Sequence, residues 1–273
     1  MKLPMYQVDA FAEQVFRGNP AAVCPLPAWL PANLMLAIAE ENNLAETAFF
    51  VPLSDQPADG FELRWFTPVA EVDLCGHATL ASASVLYEHL GFTQPEIRFH
   101  TRSGLLVVSR QADKFQMSFP ASIPQPCEPP PALIAGLGRA PIETHAAFDY
   151  VAVYETEEEI LALQPDLGQL KMLDLRGVVA TAPGRTVDFV SRFFSPNYGI
   201  PEDPVTGSTH CELAPYWGQR LNRTRLEARQ LSSRGGALAC EWKGDQVVLT
   251  GKASFYMTAE IVIPDEHAWP AAT

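Results

Sequence analysis

The chain has 273 residues, 47% of them hydrophobic and 19% charged, with a net charge of −13, enough apolar material for one large domain or two of ordinary size. So acidic a surface argues against nucleic acid or an anionic membrane as partner, because phosphate binding needs a basic surface. A small anion is still allowed, since a helix N-terminus holds a carboxylate locally whatever the overall charge.

Five scattered cysteines without a CxxC fit reduced thiols in a cytoplasm. No apolar run follows Lys2 as it would in a signal peptide, and no stretch approaches the length of a membrane span. With 24 prolines and 17 glycines, many short strands are expected rather than a few long helices.

Met5–Phe11 alternates as a first strand, Gly18-Asn19-Pro20 is a turn, and Ala21–Cys24 resumes as a strand. Leu34, Ile38 and Glu41 mark an amphipathic helix beginning near Pro31. Leu44–Val51 reads as a strand whose alternation places Glu46 on one face with Leu44 and Ala48. A carboxylate among apolar neighbours loses hydration, which suits a general acid/base; the alternative is an edge-strand glutamate in water.

Ser54–Gly60 is a loop, and Phe61–Phe66 leads into the stretch Arg64–Thr79. His77–Gly91 carries no charge before Glu88 and is rich in small residues, so it predicts a helix buried inside a curled sheet. Thr101–Pro120 predicts a hairpin turning near Ala112-Asp113. Seven prolines between Pro120 and Pro141 mark 121–141 as a linker, with strand pattern only at Leu133–Leu137. The domains then divide as 1–120 and 142–273.

Tyr150–Tyr154 reads as a strand, and Thr156 as the N-cap of a short helix with Glu157, Glu158 and Glu159 in its first turn. Gly177–Ala180 and Val187–Phe194 are further strands. A helix from about Ser208 should kink or stop at Pro215. Ser232–Thr250 is a hairpin, and Ser254–Ile263 a closing strand assigned to the second half, followed by a polar tail.

The chain nearly repeats itself. Arg-aromatic-Phe-Thr/Ser-Pro occurs at Arg64–Pro68 and Arg192–Pro196, and Glu-x-x-x-x-Gly at Glu71–Gly76 and Glu202–Gly207. Arg102 and Arg234 stand 26 and 27 residues beyond Gly76 and Gly207, which extends the repeat from one corner to most of a domain. Each strand–turn–helix corner offers free backbone N–H groups, at Gly76-His77 and at Gly207-Ser208, able to hold an anion or an enolate-like intermediate. Ordinary helix capping is the simpler account of either corner alone.

His77 could shuttle a proton. Asp203 could cap its own turn or act as a second carboxylate, with Glu202 the solvent-facing member of the pair. Cys75-x-His77 and His210-Cys211 lack recognised metal-ligand spacing, and no metal is expected. A P-loop, a GxGxxG pattern and a GxSxG elbow are all absent, and no cofactor is expected.

Asp9-Ala10-Phe11, Gly18-Asn19-Pro20, Glu46-Thr47, Phe66-Thr67-Pro68, Cys75-Gly76-His77-Ala78-Thr79 and Glu202-Asp203-Pro204-Val205-Thr206-Gly207-Ser208 resemble, in order, the signature of the phenazine-biosynthesis PhzF family. The resemblance implies an α+β, diaminopimelate-epimerase-like fold. This has two similar domains, each a mostly antiparallel barrel-like sheet wrapped round a central helix, with the active site in the interdomain cleft. It also implies a homodimer. The family's phenazine-pathway member isomerises trans-2,3-dihydro-3-hydroxyanthranilate without a cofactor, a glutamate moving the proton.

By motif that glutamate is Glu46, with His77 and Asp203 as further catalytic groups and Asn19, Gly76, Gly207 and Ser208 binding a small anionic substrate. Related two-thiol epimerases carry Cys-Gly at both corners, whereas this chain has Cys75-Gly76 and Thr206-Gly207. A threonine hydroxyl cannot replace a thiolate at neutral pH. A one- or two-base amino-acid epimerase, and a binding protein with little catalysis, are the alternatives.

Overall fold

The computed structural model describes residues 1–56 and 59–263. Part of the expected Ser54–Gly60 loop, and the tail beyond Ile263, lie outside the described residues.

In chain order the elements are β1 (Lys2–Ala10), β2 (Asn19–Pro25), α1 (Ala32–Asn42), β3 (Glu46–Pro52), β4 (Phe61–Phe66), β5 (Glu71–Val72), α2 (Gly76–Glu88), β6 (Glu96–Thr101), β7 (Gly104–Gln111) and β8 (Lys114–Pro120). They continue as β9 (Gln125–Pro126), α3 (Pro131–Leu137), β10 (Glu143–Ala146), β11 (Tyr150–Val153), α4 (Glu157–Ala162), α5 (Leu167–Leu170), β12 (Val178–Pro183), β13 (Phe189–Ser195) and β14 (Ile200–Asp203). Last come α6 (Gly207–Leu221), β15 (Arg225–Gln230), β16 (Gly236–Lys243), β17 (Gln246–Gly251) and β18 (Ala253–Val262).

Two compact units result, Met1–Met117 with Gly251–Thr273, and Ser118–Thr250. The closing strand therefore belongs to the first unit, not the second, because β18 pairs antiparallel with β1 along Lys2–Ala10. The Pro-rich stretch expected as a linker is part of the second unit. There β9 pairs with β10, and Leu133–Leu137, expected as strand, forms α3. Pro131 opens that helix and Gly138 closes it in the left-handed region, the usual Pro-first, Gly-after asymmetry.

Each unit repeats one order and one set of directions. In the first, β1–β2 is antiparallel, β2–β3 parallel, β3–β4 antiparallel, β4–β6 parallel and β6–β7 antiparallel. In the second, β10–β11, β11–β12, β12–β13, β13–β15 and β15–β16 follow the same alternation. The helix of each unit leaves after the equivalent two-strand corner, β4–β5 or β13–β14. The duplication legible at two corners thus runs through the whole strand order.

The central helices are buried as their composition predicts. Residues His77–Leu86 of α2 are all buried, against β1, β2 and β3. Small residues let the sheet close round this helix, and two of its hydroxyls bond back along it: Thr79 Oγ1 donates to the Cys75 carbonyl at 2.6 Å and Ser82 Oγ to that of Ala78 at 2.8 Å, so neither is stranded in the core. On the other face of the sheet α1 packs Leu34, Met35 and Ile38 against Phe49 and Phe66. Full burial of each such side chain contributes about 1.5–3 kcal/mol.

α6 does not stop at Pro215; it runs unbroken from Gly207 to Leu221. Proline lacks the N–H that would bond the Cys211 carbonyl one turn earlier. The N–H of Ser122 takes that place at 3.0 Å, so the segment expected as a linker repairs the helix that the proline would interrupt.

Candidate active site

The first corner is built by a brace. Arg64 on β4 donates from Nε and Nη2 to the two oxygens of Glu71 on β5, at 2.7 and 2.8 Å, while its guanidinium lies 5.3 Å from the Phe66 ring centroid. The turn after β5 delivers Cys75 as N-cap in an extended conformation, and Gly76-His77 begin α2.

The parallel register of β2 and β3 sets Ala21 opposite Glu46. Asn19, two residues before Ala21, therefore shares Glu46's face. Gly18 makes the entry to β2: its φ is +64°, and a Cβ there would fall 2.1 Å from the Ala10 carbonyl oxygen, so only glycine fits.

On that face Asn19, Glu46, Cys75 and His77 come together, all buried. Glu46 Oε2 lies 3.1 Å from His77 Nε2. The contact is within ion-pair distance but off hydrogen-bond alignment, and neither atom has another hydrogen-bond partner among the described residues. At the other ring nitrogen, Nδ1 stands 3.2 Å from the Asn19 amide nitrogen and 3.5 Å from Cys75 Sγ.

Burial alone would lower the pKa of His77, but the adjacent Cys75 sulfur and the Glu46 carboxylate outweigh it and raise that pKa well above the ordinary value. Burial, and next the charge of Glu46, push the Cys75 thiol up. A thiol so raised keeps its proton at neutral pH and then exerts no charge on the ring, so Cys75 and His77 do not titrate independently. In the neutral ring Nδ1 accepts from the Asn19 amide; in the cation the amide turns to present its oxygen. The ligand-type atoms of Glu46, Cys75 and His77 lie within 4.8 Å of one another. Carboxylate and sulfur nevertheless address different ring nitrogens, whereas an imidazole ligand offers a metal one.

The second corner repeats the frame. Arg192 on β13 grips Glu202 on β14 through Nε and Nη2 at 2.7 and 3.0 Å, with its guanidinium 5.0 Å from the Phe194 ring centroid. Glu202, although held by its own arginine, is only half-buried while Asp203 is buried, so it is the solvent-facing member of the pair as expected. Thr206 stands where Cys75 does, as N-cap in an extended conformation. Its carbonyl receives a side chain four residues on, His210 Nδ1 at 2.7 Å, as Cys75 receives Thr79.

Asp203, Gly207 and Ser208 are together at this helix start. Asp203 Oδ2 accepts from the Thr206 hydroxyl at 2.6 Å, and its carbonyl from Gln230 Nε2 at 2.7 Å. With the hydroxyl so engaged and Cys211 buried with its pKa pushed to about 12, the second corner holds no thiolate.

Three residues here were not anticipated. Arg176 donates from Nε to Asp149 Oδ1 at 3.0 Å, from Nη2 to Asp149 Oδ2, and from Nη2 to the Ser208 hydroxyl at 3.0 Å. Asp149 is fully buried. Glu212, on α6, accepts from the backbone N–H groups of Phe148 and Asp149 at 3.0 and 3.3 Å. Burial, and next the charge of Asp149, push its pKa up to about 8. Of the three only Glu212 left a signal, as the one charge between Gly207 and Trp217.

A curled, mostly antiparallel sheet round a buried helix, present twice and with a polar cluster at each helix start, is the diaminopimelate-epimerase-like architecture. The chain belongs to the PhzC-PhzF family of phenazine biosynthesis-like proteins, whose family model matches residues 8–259. It is 53% identical over 262 residues to an uncharacterized isomerase of Pseudomonas aeruginosa, over 96% of this chain and 99% of that one. A solved PhzF-family structure from Enterococcus faecalis is 46% identical and superposes with a TM-score of 0.92, covering 96% of this chain and all (100%) of that one. A hydroxyproline epimerase from Agrobacterium vitis, at 12% identity, TM-score 0.61 and coverage of 97% and 93%, shares the fold alone.

Proposed function

We propose that the protein is a cofactor-independent isomerase in which Glu46 takes a proton from one carbon of a small carboxylate-bearing cyclic or amino-acid-like substrate and returns it at another. Family membership supports the reaction class. The observation that carries the role of Glu46 is its burial at 8% exposure, with Oε2 lacking an aligned hydrogen bond and His77 Nε2 at 3.1 Å. A buried acceptor oxygen without a bonded partner is ready to take a proton, and the adjacent imidazolium can supply or steady one.

Asn19 fixes the ring of His77, and the N–H groups at Gly76 and Gly207 carry the partial positive charge that favours an anion. Asp203 serves as a second carboxylate in the reaction. Five free cysteines are consistent with work in the cytoplasm, as a homodimer on the family's pattern.

Solvent deuterium incorporation into a turned-over substrate tests this. Replacement of a general base costs roughly 10²–10⁴-fold, so Glu46→Gln should slow incorporation by that factor. Incorporation as fast as in the wild type removes Glu46 from the mechanism.

A further inference from the structure

We propose that Arg176 makes the second corner a carboxylate-binding site, the guanidinium taking the carboxylate while the Ser208 end of α6 supports it. This rests on the function proposed above in the class of ligand alone, a small carboxylate. The argument begins with how firmly the arginine is held. Its carbonyl accepts from the Ser195 hydroxyl at 2.8 Å, and the next residue, Gly177, packs so closely that a Cβ there would fall 2.5 Å from the Phe194 carbonyl oxygen.

Buried Asp149 grips one edge of the guanidinium through Nε and Nη2, and the Phe193 ring lies 5.2 Å from its central carbon. Backbone, edge and face are all fixed before any ligand arrives, so little side-chain entropy remains to be lost on binding.

The remaining edge is the one that matters. Nη1 makes no hydrogen bond among the described residues, and the side chain is 31% exposed, against 0% for its partner Asp149. An arginine needed only to neutralise Asp149 could lie as deep as that aspartate. This one instead keeps a donor edge open beside the Ser208 hydroxyl, which it holds at 3.0 Å, where the N-terminus of a 15-residue helix adds partial positive charge. A planar guanidinium edge matches a planar carboxylate better than a point cation does.

The surrounding charge selects a monoanion. Asp149 balances Arg176, and Asp203 adds a negative charge, so a dianionic phosphate meets repulsion where one carboxylate can be accommodated. Glu212, whose carboxyl faces Asp149, holds a proton at neutral pH and so adds no third negative charge.

The test is calorimetric titration with two acids and their neutral amides, anthranilate with anthranilamide and L-proline with L-prolinamide, alongside inorganic phosphate. The wild type should bind at least one acid better than its amide by roughly ten- to hundred-fold, the range of a charge-assisted hydrogen-bond pair, and phosphate no better than that acid. Arg176→Lys keeps a cation beside Asp149, and the double variant Arg176→Gln with Asp149→Asn removes both charges together, so neither leaves a buried charge alone. Both should melt close to the wild type and lose the preference for acid over amide.

A wild type without that preference, or variants that retain it, overturns the assignment. Neither result bears on Glu46, whose deuterium test stands apart. Loss of exchange in Glu46→Gln with the preference kept would leave both conclusions standing.

Discussion

The two corners share a frame and differ in what the frame presents. Each has an arginine that grips its own glutamate across a two-strand turn and lies near a phenylalanine ring two residues on. Each has an extended N-cap whose carbonyl receives a side chain four residues ahead. The first corner sets a buried carboxylate against a histidine. The second sets an anchored arginine and a hydroxyl-bonded aspartate at the helix start. One duplicated scaffold thus presents a carboxylate beside an imidazole at one corner and an arginine beside a helix-start hydroxyl at the other.

The braces themselves are not equal, and that gives the largest expected effect. Arg192 also donates from Nη1 to the carbonyls of Ile160 and Leu163, at 3.2 and 2.8 Å, whereas Glu71 keeps a second partner in Arg102 at 2.8 Å if Arg64 is lost. Breaking a buried ion pair costs about 3–5 kcal/mol. Both braces are only part-buried, so chemical unfolding should show Arg192→Met approaching that range and Arg64→Met well below it. Equal losses would mean that the shared frame, not the added carbonyl bonds, sets the cost.

A smaller effect separates the corners by pH. The folded pKa of Glu212, about 8, lies above its ordinary 4.5. The native state therefore keeps a proton that the unfolded chain has lost, so the stability linked to this one group falls as pH rises from about 4.5 to about 8 and levels off above that. Glu212→Gln mimics the protonated acid and keeps an oxygen for the two backbone N–H groups. Unfolding curves between pH 5 and 9 should show a shallower decline for the variant than for the wild type. An unchanged slope would remove Glu212 as its source.

The smallest effect comes from making the corners alike. Thr206→Cys recreates Cys-Gly at the second corner and removes the hydroxyl bond to Asp203, at about 0.5–1.5 kcal/mol. It should confer no racemisation of α-amino acids, because burial still keeps the Cys75 thiol protonated. Racemisation detected by chiral chromatography would show that the missing thiol alone separates this chain from a two-thiol enzyme.

Much of this was legible in the sequence because it is local or periodic. An uncharged run of small residues predicted the buried helix α2, Thr156 capped α4 as its position suggested, and the repeated Arg and Glu marked both corners. What escaped depends on contacts distant in the chain. Arg176 meets Asp149 across 27 residues and Ser208 across 32, and nothing near position 176 foretells either. Pro215 looked like a stop because its repair comes from Ser122, far back in the chain. The closing strand seemed to belong to the half it follows, but backbone pairing to β1 decided otherwise. Alternation grouped Glu46 with Leu44 and Ala48, but the strand begins only at Glu46, and Leu44 packs with Phe49 and Val51 on the other side. Since β3 is buried on both faces from Glu46 to Val51, alternation could not say which face was functional.

The central claim is that the first corner moves a proton and the second binds a carboxylate. The direct measurement is solvent deuterium exchange at saturating substrate, together with carboxylate affinity, in Glu46→Gln and in the Arg176→Gln, Asp149→Asn double variant. Glu46→Gln should lose exchange and keep affinity, and the double variant should lose affinity while exchange at saturation survives. If both quantities fall together in each variant, or if Glu46→Gln exchanges like the wild type, the division of labour is contradicted.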